Sequence, residues 1–241
     1  MRLLIGLITL CFSLNIHAEN APPAIQEALK QLLGPQANID KIVIQKAPVA
    51  GLYEAVLDNY IFYATEDGRY IIRGGDILDL KQEGRNLTEE RRNGLRLNVL
   101  NQVSDKEMII FKPEGKTKHT LTAFTDVDCF YCAKLHKEVP ALNKAGVEVR
   151  YLAFPRSGPR SKTYNTMVSV WCAEDPLTAM TDAKAGKSIA EKTCANPVTK
   201  EYDIGRQMGV SGTPALLMPN GELLPGYAPA DKLVQYLEAM K

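Results

Sequence analysis

The chain has 241 residues, 45% of them hydrophobic, and its 29 Lys and Arg against 28 Asp and Glu leave a formal net charge of +1. Such a balance has no electrostatic footprint for nucleic acid. The length exceeds one average domain, so two folded units and a connector are expected.

Met1-Arg2, an apolar run from Leu3 to Leu14 and then Asn15-Ile16-His17-Ala18 read as a secretory signal over residues 1–18, cut after Ala18. The run is too short to span a bilayer, and no later segment is long and apolar enough, so an exported product without stable membrane insertion is expected. Of the five cysteines, Cys11 leaves with the signal. The remaining four allow three pairings.

Residues 19–84 read as a small α+β unit. Ile25, Leu29, Leu32 and Leu33 make one apolar face of a helix that ends at Gly34-Pro35. Strands follow at Ile42–Ile44, Leu52–Leu57, Tyr60–Ala64 and Arg69–Arg73, the last two joined through Asp67-Gly68, a hairpin signal. A unit of about sixty residues is marginal alone, which predicts that it shares a sheet edge or an apolar face with a second copy. Packing on its own C-terminal domain is the alternative.

Residues 85–104 read as a linker helix, with Asn86 as N-cap and Glu89 as its partner at the third helical position. Leu95, Val99 and Leu100 form a narrow apolar stripe that suits a partly exposed spacer. The adjacent Arg91-Arg92 and Glu89-Glu90 suit a solvated helix face.

Residues 105–241 read as α/β. Strands are predicted at Met108–Phe111, His119–Phe124, Val147–Phe154, Ala215–Met218 and Glu222–Leu224. Helices are predicted after Cys129, over a region from Ser161 to Tyr202, and from Asp231. A strand, a crossover helix and a strand imply a parallel core, and Pro219-Asn220-Gly221 makes a terminal antiparallel hairpin. This is thioredoxin-like topology with a helical insertion.

Cys129-Phe130-Tyr131-Cys132 carries the chemistry. It follows an apolar strand and opens a helix, so Cys129 falls at a helix N-terminus, where unpaired N–H groups and the helix dipole favour a thiolate. Cys129 is expected to be the exposed, attacking thiol and Cys132 the resolving one. A structural zinc site needs four ligands, whereas this chain has no second CxxC and only three histidines. His136 is read as a solvated helix residue. Covalent haem attachment requires His directly after the second cysteine, where Ala133 stands. No metal or organic cofactor is expected. Cys172 and Cys194 remain, and in an oxidising compartment they most simply form a structural disulfide.

Gly212-Thr213-Pro214 precedes an apolar strand. A cis proline there would end strand pairing and present backbone groups to an incoming chain; a trans turn is the alternative.

Together, Cys129–Cys132, Gly209–Pro214, Tyr151–Arg156, Trp171-Cys172-Ala173, Ala185–Ser188 and Ala47–Gly51 resemble the DsbC/DsbG family of bacterial periplasmic disulfide isomerases. The resemblance spans essentially the whole mature chain. It implies a V-shaped homodimer in the periplasm, built from a cystatin-like dimerisation domain, a linker helix and a thioredoxin-fold catalytic domain. It further implies attack by Cys129, resolution by Cys132, a cis-proline loop at Thr213 and Pro214, and bonded Cys172 and Cys194. The substrates would be misfolded disulfide-containing exported proteins, and the reductant a membrane protein resembling DsbD. The best-known isomerase motif has glycine where Phe130 stands beside Tyr131, a departure that bears on redox poise. A DsbG-like protein of narrower range, a thiol oxidase and a holdase chaperone are the competing readings.

Overall fold

The computed structural model describes residues 21–36 and 38–240. The signal segment 1–18 and Cys11 lie outside them. The chain divides into two compact units, one running through Leu57 and again over Ile61–Gly74, the other made of Asp58–Tyr60 and Gly75 onward.

In the first unit, helix α1 (Pro23–Leu33) starts with proline, whose fixed φ suits the first helical turn and whose missing N–H costs nothing there. Ile25 and Leu29 point into the core and are fully buried. Strands β1 (Val43–Lys46), β2 (Leu52–Leu57), β3 (Tyr60–Thr65) and β4 (Ile71–Arg73) form a sheet in that order, with β1–β2 and β3–β4 antiparallel. Tyr53, Ala55, Phe62 and Ala64 pack with Ile25 and Leu29.

The fourth strand begins at Ile71, two residues later than the apolar pattern suggests. The reason is local. Asp67 accepts the Arg69 N–H at 3.0 Å and the Thr65 hydroxyl accepts the Tyr70 N–H at 3.1 Å, so the turn uses donors a ladder would need. Gly68 sits there at φ 67°, and a Cβ would lie 2.4 Å from the Ala24 carbonyl oxygen. Glycine is what lets the turn approach α1.

The second unit opens with a short antiparallel pair, β5 (Leu78–Asp79) and β6 (Arg85–Asn86), followed by α2 (Leu87–Leu100). Asn86 caps α2 by accepting the Glu89 N–H at 2.9 Å. The Glu89 carboxylate does not reach back to the cap; it pairs with Arg92 at 2.9 Å and Arg96 at 2.7 Å. Arg96 is buried and donates to the carbonyls of Met208 and Gly221 at 3.3 and 3.4 Å, while Val99 and Leu100 pack on the core. The helix is partly exposed, with Thr88 and Arg96 its buried residues, and is held partly by a charged residue that apolar periodicity does not register.

The remaining elements are β7 (Ile109–Phe111), β8 (His119–Thr125), α3 (Phe130–Lys144), β9 (Val147–Ala153), α4 (Lys162–Trp171), α5 (Pro176–Lys184), α6 (Val198–Gln207), β10 (Ala215–Leu217), β11 (Leu223–Pro225) and α7 (Ala230–Ala239). Their sheet runs β11-β10-β8-β9-β7, with β8 and β9 parallel across the α3 crossover and the other pairs antiparallel. Strands β8 and β9 are covered on both faces, yet both carry polar residues, Thr120, Thr122 and Thr125 in β8 and Glu148 and Arg150 in β9. One face packs Leu121, Val149 and Tyr151 against Leu135, Val139 and Leu142 of α3. The other packs Phe124, Leu152 and Phe154 beneath α6. There Gly205 is forced by proximity, since a Cβ would lie 2.6 Å from the Phe154 ring. Glu201, fully buried on α6, accepts the Ala153 N–H at 2.6 Å, and burial holds its carboxyl well above the usual range.

The insertion is three helices rather than one helical region. Asp175 caps α5 through the Leu177 and Thr178 N–H groups with Pro176 at its first position, and residues 186–197 are irregular. Cys172, at the end of α4, is bonded to Cys194 in that irregular stretch, closing a separation of 22 residues. A loop of that size is worth about 3 kcal/mol in the chain-entropy account. Replacing both cysteines with alanine should lower unfolding free energy by about 2–5 kcal/mol in denaturant titration. An unchanged midpoint and slope would show the bond carries no stability.

Candidate active site

Strand β8 delivers the chain to the site. After Thr125 the backbone turns at Asp126, whose carboxylate accepts the Asp128 N–H at 2.8 Å and whose carbonyl accepts the Cys129 N–H at 3.1 Å. Cys129 then occupies the N-cap of α3 with extended backbone, and its Sγ accepts the Cys132 N–H at 3.2 Å. A sulfur stands where Ser, Thr, Asp or Asn usually caps a helix. The helix continues through Pro140 to Lys144.

The second part arrives from 84 residues away. Strand β10 pairs with β8 in the register Ala215 opposite Phe124, which sets the residues before β10 beside the turn after β8. The Thr213–Pro214 peptide is cis. The Thr213 carbonyl lies 3.2 Å from Cys129 Sγ, and a protonated Cys129 donates to it. The Thr213 hydroxyl is buried and makes no hydrogen bond among the described residues.

Both thiols are free and buried, Cys129 at 3% and Cys132 at 0% exposure. The expectation of an exposed Cys129 is thus corrected, because the capping geometry tucks its sulfur between the first helical turn and the Thr213 carbonyl. Phe130 and Tyr131 are the exposed members of the motif, at 76% and 56%. Their rings meet edge to face at 5.4 Å, and Tyr131 stacks on Tyr227 at 6.5 Å. Lys134 lies over the Tyr227 ring at 4.5 Å, and Tyr227 donates to Glu138 at 2.7 Å. This sets exposed aromatic rings beside the redox pair.

The two thiols differ electrostatically. Burial works against ionisation of Cys129, yet hydrogen bonds from the Cys132 thiol and the Cys132 N–H, with the Arg156 guanidinium, bring its pKa below the usual thiol value. Burial pushes Cys132 up, and the attraction of Lys184 offsets it only in part. Arg156 is held at the site by Asp126, which accepts its backbone N–H at 2.9 Å and its Nε at 3.0 Å.

His136 corrects the solvated-residue reading. It lies on the buried face of α3 with Cys132, Leu135 and Val139. Its ring nitrogens are each 3.1 Å from a hydroxyl, Nδ1 from Tyr151 and Nε2 from Thr181. Burial and the nearby Lys184 bring its pKa down to about 4, so it is neutral at pH 7. With both nitrogens engaged it is not poised to join the cysteines as a metal ligand.

Three residues of the site escape a reading of the sequence alone: Arg156, Lys184 and Tyr227. Only Arg156 leaves a trace, as a charge three residues after β9, whose end lies beside that of the parallel β8. Chemically, the assembly offers an activated buried thiolate, a second thiol one helical turn on, and an aromatic surface for an unfolded chain.

A profile described as a thioredoxin-like domain matches residues 104–241, and the disulfide bond isomerase protein N-terminal domain matches residues 16–89. The thiol:disulfide interchange protein DsbC of Escherichia coli K12 is 39% identical over 233 residues, covering 96% of this chain and 94% of that protein. DsbC of Haemophilus influenzae is 38% identical over 201 residues, covering 83% and 85%. A crystal structure of a disulfide interchange protein from Neisseria gonorrhoeae aligns with TM-score 0.50 and 27% identity over 56% of this chain and 99% of that one. Full-length identity at this level, together with a redox pair capped and faced as described, places the chain in the DsbC family of thiol:disulfide interchange proteins.

Proposed function

We propose that this protein is a periplasmic disulfide isomerase in which Cys129 attacks non-native disulfides of exported proteins and Cys132 resolves the mixed disulfide. The observation that carries the reading is the capping of α3 by Cys129 Sγ opposite the Thr213 carbonyl of the cis Thr213–Pro214 bond. A thiolate there accepts the Cys132 N–H of the first helical turn, and the attacking species in exchange is the thiolate.

The Cys129 thiolate attacks one sulfur of a substrate disulfide. A Cys129–substrate bond forms, the substrate S–S bond breaks, and the electron pair leaves on the second substrate sulfur. Isomerisation follows when a substrate thiolate attacks the mixed disulfide and returns Cys129 as thiolate. When no substrate thiol is placed to do so, Cys132 loses its proton and attacks Cys129, releasing the substrate reduced and leaving Cys129 bonded to Cys132. A membrane reductant resembling DsbD then restores the dithiol. Only thiols, disulfides and protons take part, so no metal or organic cofactor is called for. Phe130, Tyr131 and Tyr227 supply apolar contact to exposed side chains of a misfolded substrate, and the backbone of Thr213 and Pro214 borders its path.

Export rests on the signal pattern of residues 1–18, and among the described residues no helix is long and apolar enough to cross a membrane. The reading includes a homodimer formed through the first unit. β4 lies at one edge of its sheet, with Ile72 at 47% exposure and Tyr70, just before the strand, at 58%, and an exposed apolar edge is a template for another chain. A DsbG-like or oxidase reading has no observation in its favour here.

Two experiments test this. With a scrambled multi-disulfide protein as substrate, Cys129→Ser should reduce refolding to the uncatalysed rate, while Cys132→Ser should accumulate mixed disulfides with Cys129. Equal trapping of substrate by Cys132 in the Cys129→Ser variant would contradict the assignment. Sedimentation of the mature protein at micromolar concentration should give the dimer mass. A monomer at that concentration would remove the dimer from the reading.

A further inference from the structure

Lys184 is the last residue of α5, where a lysine ordinarily complements the helix dipole in solvent, yet here it is turned inward and 7% exposed. Its Nζ donates to the Thr125 hydroxyl at 2.7 Å and to the Asp126 carbonyl at 2.6 Å, the two residues that end β8 and begin the redox turn. The same Asp126 carbonyl accepts the Cys129 N–H. Both acceptors are neutral. The Asp126 carboxylate is engaged by Arg156, so the buried ammonium lacks an anion of its own to offset desolvation.

The charged and titratable groups facing Lys184 are few. They are Cys132 on α3 and Cys129 at its cap, Asp126 after β8, Arg156 after β9, and the neutral His136 on α3. Only the cysteines can become newly negative during turnover, and Cys129 already has the helix N-terminus and Arg156.

We propose that Lys184 is the counter-charge of the Cys132 thiolate, so that a buried cation and a buried thiol carry the resolving step as one electrostatic unit. The inference rests on the reading of Cys132 as the resolving thiol and adds a positioning residue to it. In the step, Cys132 gives its proton to water and its sulfur attacks Cys129. The Cys129–Cys132 bond forms, the Cys129–substrate bond breaks, and the substrate sulfur leaves with the electron pair and takes a proton from water. Lys184 stays an ammonium throughout. Lys184 lies in the wall of a groove of about 890 Å³ lined also by Ala133, His136, Thr181 and Ala185.

The electrostatics agree with the geometry. Burial brings the Lys184 pKa down to about 8, and the leading charge opposing that fall is the Cys132 thiolate. Reciprocally, Lys184 is the leading charge that favours ionisation of Cys132 against its burial. The apparent pKa values of groups so coupled belong to the pair rather than to either one.

Rapid quenching of the reduced, full-length protein after mixing with glutathione disulfide, followed by mass spectrometry, separates attack at Cys129 from resolution by Cys132. For Lys184→Met, resolution at pH 7 should slow roughly tenfold, the effect of about one pKa unit, with its pH midpoint moved upward. Attack at Cys129 should change far less. Lys184→Arg, which keeps the cation, should retain the wild-type midpoint. A resolution profile for Lys184→Met that superposes on the wild type, with Cys129 still attacking, overturns this inference alone. Mixed disulfide forming on Cys132 instead overturns the assignment of the two thiols and this inference with it. Should Lys184→Met fail to fold, the Lys184 side chain can be titrated by carbon NMR in the wild type and in Cys132→Ala. Loss of the thiol should lower the lysine pKa, and an unchanged titration would overturn the proposal.

Discussion

The site depends on one hydrogen bond, from the Cys132 N–H to Cys129 Sγ at the N-terminus of α3. A helix leaves its first N–H groups without intrahelical partners, and a buried start must satisfy them. Here a sulfur does so, which makes the thiolate part of the capping scheme rather than an isolated charge. The strand-to-helix turn, the Asp126 carbonyl on the Cys129 N–H, and the pairing of β10 with β8 all serve to hold that sulfur in place.

From this cap follows a division of labour between two identical side chains. Cys129 gains the Cys132 N–H and thiol and the Arg156 guanidinium, and its pKa falls. Cys132 sits one turn deeper against the sheet, gains burial above all, and its pKa rises. Environments that push two titratable groups apart assign their roles, as in other sites where paired groups share one chemistry. On the proposed roles, the attacking thiol is ready before substrate arrives and the resolving thiol is held in reserve. An isomerase needs that order, since a resolving thiol that fired early would release every substrate reduced.

The legible part of the fold was the part written in local pattern. The β-branched and apolar residues of β8 and β9, the Asp67-Gly68 turn and the proline and glycine stops of α1 all act through neighbours in sequence. The CxxC and Thr-Pro signals were legible because each is short and chemically distinctive. What could not be read were buried polar residues whose partners lie far along the chain. Lys184 meets Thr125 across 59 residues, and Arg96 meets Met208 across 112. His136 looked solvated because its partner hydroxyls come from β9 and α5. The burial of Cys129 was missed for the same reason: the Thr213 carbonyl that covers it arrives through sheet pairing.

The most direct test of this account is the ionisation of Cys129 itself in the reduced, full-length protein. Alkylation at a series of pH values, with each cysteine resolved by peptide mass, reports its thiolate fraction. The account predicts a Cys129 midpoint clearly below the value of about 8.5 for free cysteine, with Cys132 titrating above it. A Cys129 midpoint at or above the free value, or a reversed order of the two thiols, would contradict it.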